Sequence, residues 1–185
     1  SMSLEGANLS GTDLTGSNLT GSNLTGANLS GAVATSVNLT SADLSDANLS
    51  GAVATSANLT SADLTDANLS DANFSNATLV SATINRTNLT GADLTSLAAA
   101  STTFTNITAV GATLAYANLA GATITDGIFT DGNLLVTHFD NAVISGADFT
   151  GAMMANATFT AASITNTILT EAELTGAVFN GTTFT

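Results

Sequence analysis

Apolar side chains recur at every fifth residue, without a slip, from Leu4 to Phe184. All 37 positions in this register are Leu, Phe, Ile, Met or Ala, and they include all eight Phe and 20 of the 22 Leu. We call this position the centre of each pentapeptide. Two residues before the centre, 23 of 37 residues are Ala, and the residues on either side of the centre are mostly polar. The fifth position holds 14 of the 16 Gly. Each unit therefore follows the order inward, outward, inward, outward, corner.

A period of five fits neither an α-helix nor a long strand. Within one unit, however, the two inward residues lie two apart, as on a strand, and the Gly-rich fifth position is typical of a bend. Residues 31–50 and 51–70 differ at two of twenty positions, so the duplicated unit is four pentapeptides. The pattern predicts an all-β, four-sided β-helix of about nine coils, stacked about 4.8 Å apart. It forms a single domain over residues 3–185, and we interpret residues 1–2 as a tag remnant.

Individual units resemble a known repeat. Residues 27–31 (ANLSG) and 92–96 (ADLTS) are similar to the A(D/N)LXX motif of the pentapeptide-repeat family, and the resemblance covers essentially the whole chain. It implies a right-handed quadrilateral β-helix. Members of the family include quinolone-resistance proteins that mimic DNA and bind gyrase, whereas many other members have no assigned role.

Stacking by twenty residues makes specific packing predictions. Leu14, Ala34, Ala54, Phe74 and Leu94 fall in one inward column, where Phe74 restores volume lost at the two Ala. Elsewhere, Phe104 is expected to fill room left by small neighbours. Residues 96–110 carry Leu97 and Ile107 at the inward position that is usually small. They are the expected place for a local bulge or bend, the alternative being that the coil tolerates larger residues there.

The net charge of the chain restricts the classes of partner that it is expected to bind. The chain has 14 acids, one Arg and no Lys, which gives a net charge of −13. Direct nucleic-acid binding needs basic residues to displace counterions, so it is not expected, and neither is attachment to anionic lipid. No apolar run approaches the length of a membrane span. We expect a protein partner with a basic surface.

Six acids define a candidate acidic stripe. Four of them stack in pairs, Asp43 under Asp63 and Asp46 under Asp66, and Arg86 should lie above Asp66. The stripe comprises Asp43, Asp46, Asp63, Asp66, Asp71 and Asp126. Simple solvation and hydrogen bonding at corners is the alternative explanation. Over a rod of about 44 Å the net charge is roughly half as dense as that of duplex DNA, so DNA mimicry stays open.

One side repeats hydroxyl residues around its centres. It carries a candidate hydroxyl face made of Thr103, Thr105, Thr123, Thr125, Ser163 and Thr165. This pattern is similar to the Thr-x-Thr ladders of β-helical ice-binding proteins. The strand propensity of Thr is the simpler explanation of the pattern, and Val143 interrupts the row.

Catalytic chemistry has no visible basis in the sequence. His138 is the only histidine, there is no Cys, and no phosphate-binding loop, metal cluster or triad is present. We therefore expect a non-enzymatic structural or protein-interaction scaffold without a cofactor. No basic-then-apolar leader is visible, which favours the cytoplasm over secretion. The uncapped end after Phe184 suggests either a homodimer formed by end-to-end stacking or excision of the chain from a longer protein.

Overall fold

Parallel pairing between residues twenty positions apart holds the stack together. In the computed structural model, which describes residues 2–185, isolated parallel bridges at this offset run from Ser3–Asn23 to Thr158–Val178. Each bridging residue is the one directly before a centre. The coil of four pentapeptides and the all-β solenoid predicted from the sequence are therefore confirmed.

Regular strands form on one side of the solenoid. Thr83 pairs with Thr103 and Ile84 with Phe104, and the same parallel register continues through five successive coil-to-coil steps. Six strands lie side by side in this sheet, in the order in which they occur along the chain. Its strands are β1 (Thr83–Asn85), β2 (Thr103–Thr105), β3 (Thr123–Thr125), β4 (Val143–Ser145), β5 (Ser163–Thr165) and β6 (Thr183–Phe184).

The strands begin where the centre residue of this side changes from Leu to Ile or Phe. Earlier in the same column, the amide of Ala27 donates to the carbonyl of Leu24 at 2.9 Å and closes a tight turn. After β4, the corresponding amide of Ala147 donates no backbone hydrogen bond within the described residues. All Ile centres of the chain lie in this column. Because β-branched side chains favour extended backbone, the side straightens into a strand and the turn opens.

The corner residue of each pentapeptide adopts the left-handed conformation. Asp46 and Ser61, for example, have φ values of 58° and 59°. Gly meets this requirement without strain, and Asn and Asp tolerate it better than other residues do. The β-branched Val136, at φ 57°, is the unfavourable case. The polar fifth position thus reflects a backbone constraint as well as solubility.

Centres stack into a continuous core. Phe129 lies parallel to Phe149 with ring centroids 5.0 Å apart, and Phe139 lies parallel to Phe159 at 4.8 Å. Phe74 is fully buried between its stacked neighbours, as the volume argument requires. Ring pairs twenty residues apart therefore fill the interior coil by coil.

The stack passes through residues 96–110 without a bulge. Ala98 bridges both Thr78 and Asn118, which is the ordinary register, and Leu97 and Ile107 are each 1% exposed. The expected bulge is wrong. The interior accommodates the larger side chains, which is the alternative that the sequence left open. Nearby, the buried hydroxyl of Thr102 donates to the carbonyl of Leu79 at 2.7 Å, so a polar inward residue is also satisfied.

Candidate interaction surfaces

The outward surface contains no enclosed site. No cavity and no group of three or more metal-ligating side chains is found in residues 2–185. Over the same residues no helix is long and apolar enough to cross a membrane. The surfaces that residues 2–185 offer to a partner are the outward columns of the solenoid and its two ends.

Two acids of the acidic stripe are held rigidly beside their turns. Asp43 Oδ1 accepts hydrogen bonds from the amide and hydroxyl of Ser45, at 3.0 and 2.6 Å. Asp63 makes the same pair of contacts with Thr65, at 2.9 and 2.6 Å. The hydroxyl bond from Ser45, followed by its amide bond, lowers the pKa of Asp43. Asp43 and Asp63 are bridge partners, so two fixed carboxylates lie one coil apart.

The neighbouring corner column holds the one ion pair found among residues 2–185. Arg86 lies one coil above Asp66, donating from Nε to Oδ1 at 2.7 Å and from Nη2 to Oδ2 at 2.5 Å. These hydrogen bonds lower the pKa of Asp66 and raise that of Arg86. Asp46 occupies the same column one coil below Asp66. The predicted position of Arg86 above Asp66 is confirmed.

The remaining two members of the acidic stripe lie apart from this cluster. Asp126 shares the corner column, but Arg86 and Asn106 separate it from Asp66. Asp71 occupies the next corner around the coil. Its carboxylate leans over Gly91 in the coil above, where an added Cβ would lie 2.5 Å from Oδ1. The structure thus brings together Asp43, Asp46, Asp63 and Asp66 only.

The hydroxyl face coincides with the six-stranded sheet. Its six residues lie on β2, β3 and β5, in two in-register outward rows. Sequence reasoning omitted Thr83 and Asn85 of β1, which extend the rows by one coil. Val143 in β4 is 49% exposed and interrupts one row. At the far end, the hydroxyls of Thr165 and Thr185 bond to each other at 2.8 Å.

An asparagine ladder covers another side and was not singled out from the sequence. Asn88 Nδ2 donates to Asn68 Oδ1 at 3.2 Å, and longer contacts of the same kind continue down to Asn8. Each Oδ1 also accepts the amide two residues later, such as Thr90 to Asn88 at 3.1 Å. Identical residues at twenty-residue intervals were the available signal.

His138 belongs to a small polar network. Its Nδ1 lies 3.1 Å from Thr158 Oγ1, and that hydroxyl donates to Asp140 Oδ2 at 2.7 Å. Since the single hydroxyl proton points at Asp140, Nδ1 of His138 carries a proton and acts as the donor. The arrangement uses the hydroxyl as a bridge between coils, and no cleft surrounds it.

Comparison with known proteins matches this architecture. A family model described as pentapeptide repeats matches eight copies, over residues 3–40, 35–71, 57–95, 117–154 and 154–185. No curated protein sequence matches the chain.

Solved structures of the same kind are similar to this chain. HetL, a pentapeptide repeat protein involved in heterocyst differentiation regulation from the cyanobacterium Nostoc sp. strain PCC 7120, is 32% identical. The match covers 98% of this chain and 82% of HetL, with a TM-score of 0.52. QnrB1, a plasmid-mediated fluoroquinolone resistance protein, is 19% identical over 90% of this chain and 88% of its own, with a TM-score of 0.44. A pentapeptide repeat protein from the Arabidopsis thaliana thylakoid lumen is 28% identical over 61% of this chain and 68% of its own, with a TM-score of 0.39.

Proposed function

Because this chain belongs to the pentapeptide repeat family, we propose that it is a non-enzymatic scaffold that binds another protein through its outward columns. The partner carries a basic surface and meets the cluster formed by Asp43, Asp46, Asp63 and Asp66. HetL, at 32% identity, is involved in the regulation of heterocyst differentiation. Binding a regulatory partner is a role that a rod without a cleft can perform.

The observation that carries this proposal is the pairing of Arg86 with Asp66. Arg86 is the single Lys or Arg of the sequence, and Asp66 occupies it with two hydrogen bonds. Within residues 2–185 no other carboxylate has an ion-pair partner. Asp43, Asp46 and Asp63 therefore present charge that no cation of the described residues compensates, and this charge attracts a basic surface and orients it.

A charge-matched pair of variants tests this proposal. The first carries Asn at four stripe positions, where Asn keeps the turn hydrogen bonds and tolerates the corner conformation. The second has the same net charge but carries amides at four acids outside the stripe. The stripe variant changes Asp43, Asp46, Asp63 and Asp66 to Asn, and the control changes Asp13, Asp93 and Asp140 to Asn and Glu173 to Gln.

The readout is the affinity of a purified protein that was first captured by the wild-type chain. The proposal predicts that affinity falls with added salt, that the stripe variant binds it at least about tenfold more weakly, and that the control binds normally. Equal weakening in both variants would mean that only bulk charge matters. That result, or binding that both variants retain fully, contradicts the proposal.

DNA mimicry is the second candidate, favoured by two neighbouring columns in which acids stack one coil apart. In this case the partner is DNA gyrase or another DNA-binding protein, and the carboxylates take the place of phosphates. Titration into a gyrase supercoiling reaction at varied salt tests the idea. Salt-sensitive inhibition at micromolar protein that the stripe variant lacks supports mimicry, and absence of inhibition rejects it.

Binding of ice is a third candidate, favoured by the parallel, in-register sheet that carries the hydroxyl face. A regular array of hydroxyls on a rigid sheet suits an ordered lattice better than a flexible ligand. Thermal hysteresis that Thr123→Tyr on the sheet abolishes, but Thr113→Tyr on another side leaves intact, supports the idea. Failure to shape ice or lower its growth temperature at millimolar protein ends it.

End-to-end association of two copies completes the proposal. Phe184 is 55% exposed, whereas Leu4 and Phe179 are only partly buried. Stacking one solenoid on another would bury such side chains. Sedimentation that gives a monomer at all concentrations contradicts this part of the proposal without affecting the others.

A further inference from the structure

The outward column that starts as the asparagine ladder ends in isoleucine. Beyond Asn88 and Thr108 it continues with Ile128, Asp148 and Ile168, each bridged to the next. Ile128 is 40% exposed and Ile168 is 49% exposed. Two large apolar side chains therefore flank one carboxylate on the surface, at spacings of one coil, or about 4.8 Å.

The next column around the coil adds a third exposed apolar side chain. Met153 lies five residues after Asp148 in the same coil and is 45% exposed. The corner between these columns carries Asp131 and, two coils higher, Glu171, with Gly151 between them. We define the apolar-acidic patch as Ile128, Asp131, Asp148, Met153, Ile168 and Glu171.

The fold does not account for this surface. All three apolar side chains occupy the outward position before a centre, where most coils have Asn, Asp or Thr, and they do not enter the core. Strand propensity explains Ile at such a position but not Met153. Exposed apolar residues rimmed by polar groups mark interaction surfaces.

Asp148 indicates which side chains a partner of this patch must supply. Its Oδ1 accepts from the amide and hydroxyl of Thr150, at 2.9 and 2.6 Å, whereas Oδ2 has no partner among the described residues. A purely apolar partner covering both isoleucines would bury this carboxylate without a counterion, which is strongly unfavourable. A partner with Lys or Arg beside apolar residues covers the isoleucines and supplies the counterion at once.

We propose that the apolar-acidic patch binds a basic amphipathic segment of another protein, with Lys or Arg at Asp148 and apolar side chains on Ile128, Ile168 and Met153. This site lies on different sides of the solenoid from the cluster of Asp43 and Asp63, and three or more coils further along the chain. It therefore operates independently of the scaffold proposal above.

The test uses two synthetic peptides of equal charge. Leu alternates with Lys in the first, and Ser alternates with Lys in the second. Binding of each peptide is measured by fluorescence anisotropy at physiological ionic strength. The patch variant is Ile128→Thr/Met153→Thr/Ile168→Thr, because Thr keeps the strand propensity. Its control is Val33→Thr/Val53→Thr, which removes two apolar side chains that are 41% and 40% exposed at the same position of other coils. Thermal melts establish that both variants are folded.

The proposal predicts that the Leu-Lys peptide binds the wild-type chain and the control alike, and binds the patch variant at least about tenfold more weakly. Asp148→Asn keeps the Thr150 contacts and should weaken the same peptide. Equal binding of the Ser-Lys peptide, or equal affinity for the patch variant and the control, overturns the proposal. The stripe variant should bind the Leu-Lys peptide normally. The proposal for the acidic stripe and the proposal for the apolar-acidic patch can therefore fail independently of each other.

Discussion

Arg86 lies one coil above Asp66 and binds both of its carboxylate oxygens, through contacts of 2.7 and 2.5 Å. The pair joins residues twenty positions apart and relieves a corner column that also contains Asp46. Both side chains are exposed, at 55% and 37%, so the pair tunes surface charge more than it supports the core.

Replacing Arg86 should destabilise the protein slightly, in a way that depends on pH and salt. The hydrogen bonds from Arg86 hold the pKa of Asp66 below 3.8. A lowered pKa contributes stability that is present above 3.8 and is lost as pH falls through the lowered value. Urea melts of Arg86→Gln should therefore show a deficit at neutral pH that disappears in acid and shrinks in high salt.

The double variant Asp66→Asn/Arg86→Gln is the control for this effect. It removes both charges, so this pair should no longer contribute any pH dependence to the free energy of unfolding. An Arg86→Gln deficit of the same size in acid and in high salt would show that Arg86 acts through packing of its stem instead.

Phe104→Ala should cost about 3–5 kcal/mol of unfolding free energy, since the ring is 2% exposed and its removal leaves a cavity between stacked coils. Phe184→Ala is the matched control at concentrations where the chain is monomeric, because that ring is 55% exposed in the single chain and its loss should cost less than about 1 kcal/mol. Reversible urea unfolding measures both. A loss under about 1 kcal/mol for Phe104→Ala contradicts the packing argument.

Gly91→Ala and Gly111→Ala should differ although both glycines occupy the same corner column. Their φ values are 66° and 64°, so the left-handed backbone costs each variant about 1–2 kcal/mol. Only the new Cβ at Gly91 meets a neighbour, Asp71 Oδ1 at 2.5 Å. Thermal melts should show a larger loss for Gly91→Ala, and Asp71→Ala should remove that excess. Equal losses would mean that Asp71 simply rotates away.

Periodicity alone predicted the coil, the inward columns and the placement of Arg86 over Asp66. These features depend only on which residues are twenty apart, and such pairing is visible in the letters of the sequence. The same information identified the hydroxyl face. It did not predict that regular strands would form on that side alone, because the change from tight turn to strand depends on how Ile84 and its stacked neighbours shift the backbone together.

The directions of the side chains could not be predicted from the sequence, for a different reason. The lean of Asp71 over Gly91 and the bridge from His138 through Thr158 to Asp140 depend on rotamers and on hydroxyl orientation. Periodicity places these residues side by side but does not choose among their contacts. The incorrect prediction of a bulge near Leu97 has a related origin, because tolerance of a larger inward residue depends on the volumes of its neighbours in three dimensions.

Every surface described above depends on one claim, that outward residues twenty apart are direct neighbours. The chain has no cysteine, so engineered disulfides test it cleanly. Asn48 and Asn68 are bridge partners, and the coil spacing of about 4.8 Å lies within the Cα separations of roughly 4.4–6.8 Å that a disulfide accepts. Under mild oxidation, Asn48→Cys/Asn68→Cys should form an intramolecular disulfide, whereas Asn48→Cys/Asp63→Cys and Asn48→Cys/Asn73→Cys, on flanking sides, should not. Preferential bridging of either flanking pair would contradict the four-sided coil and every surface built on it.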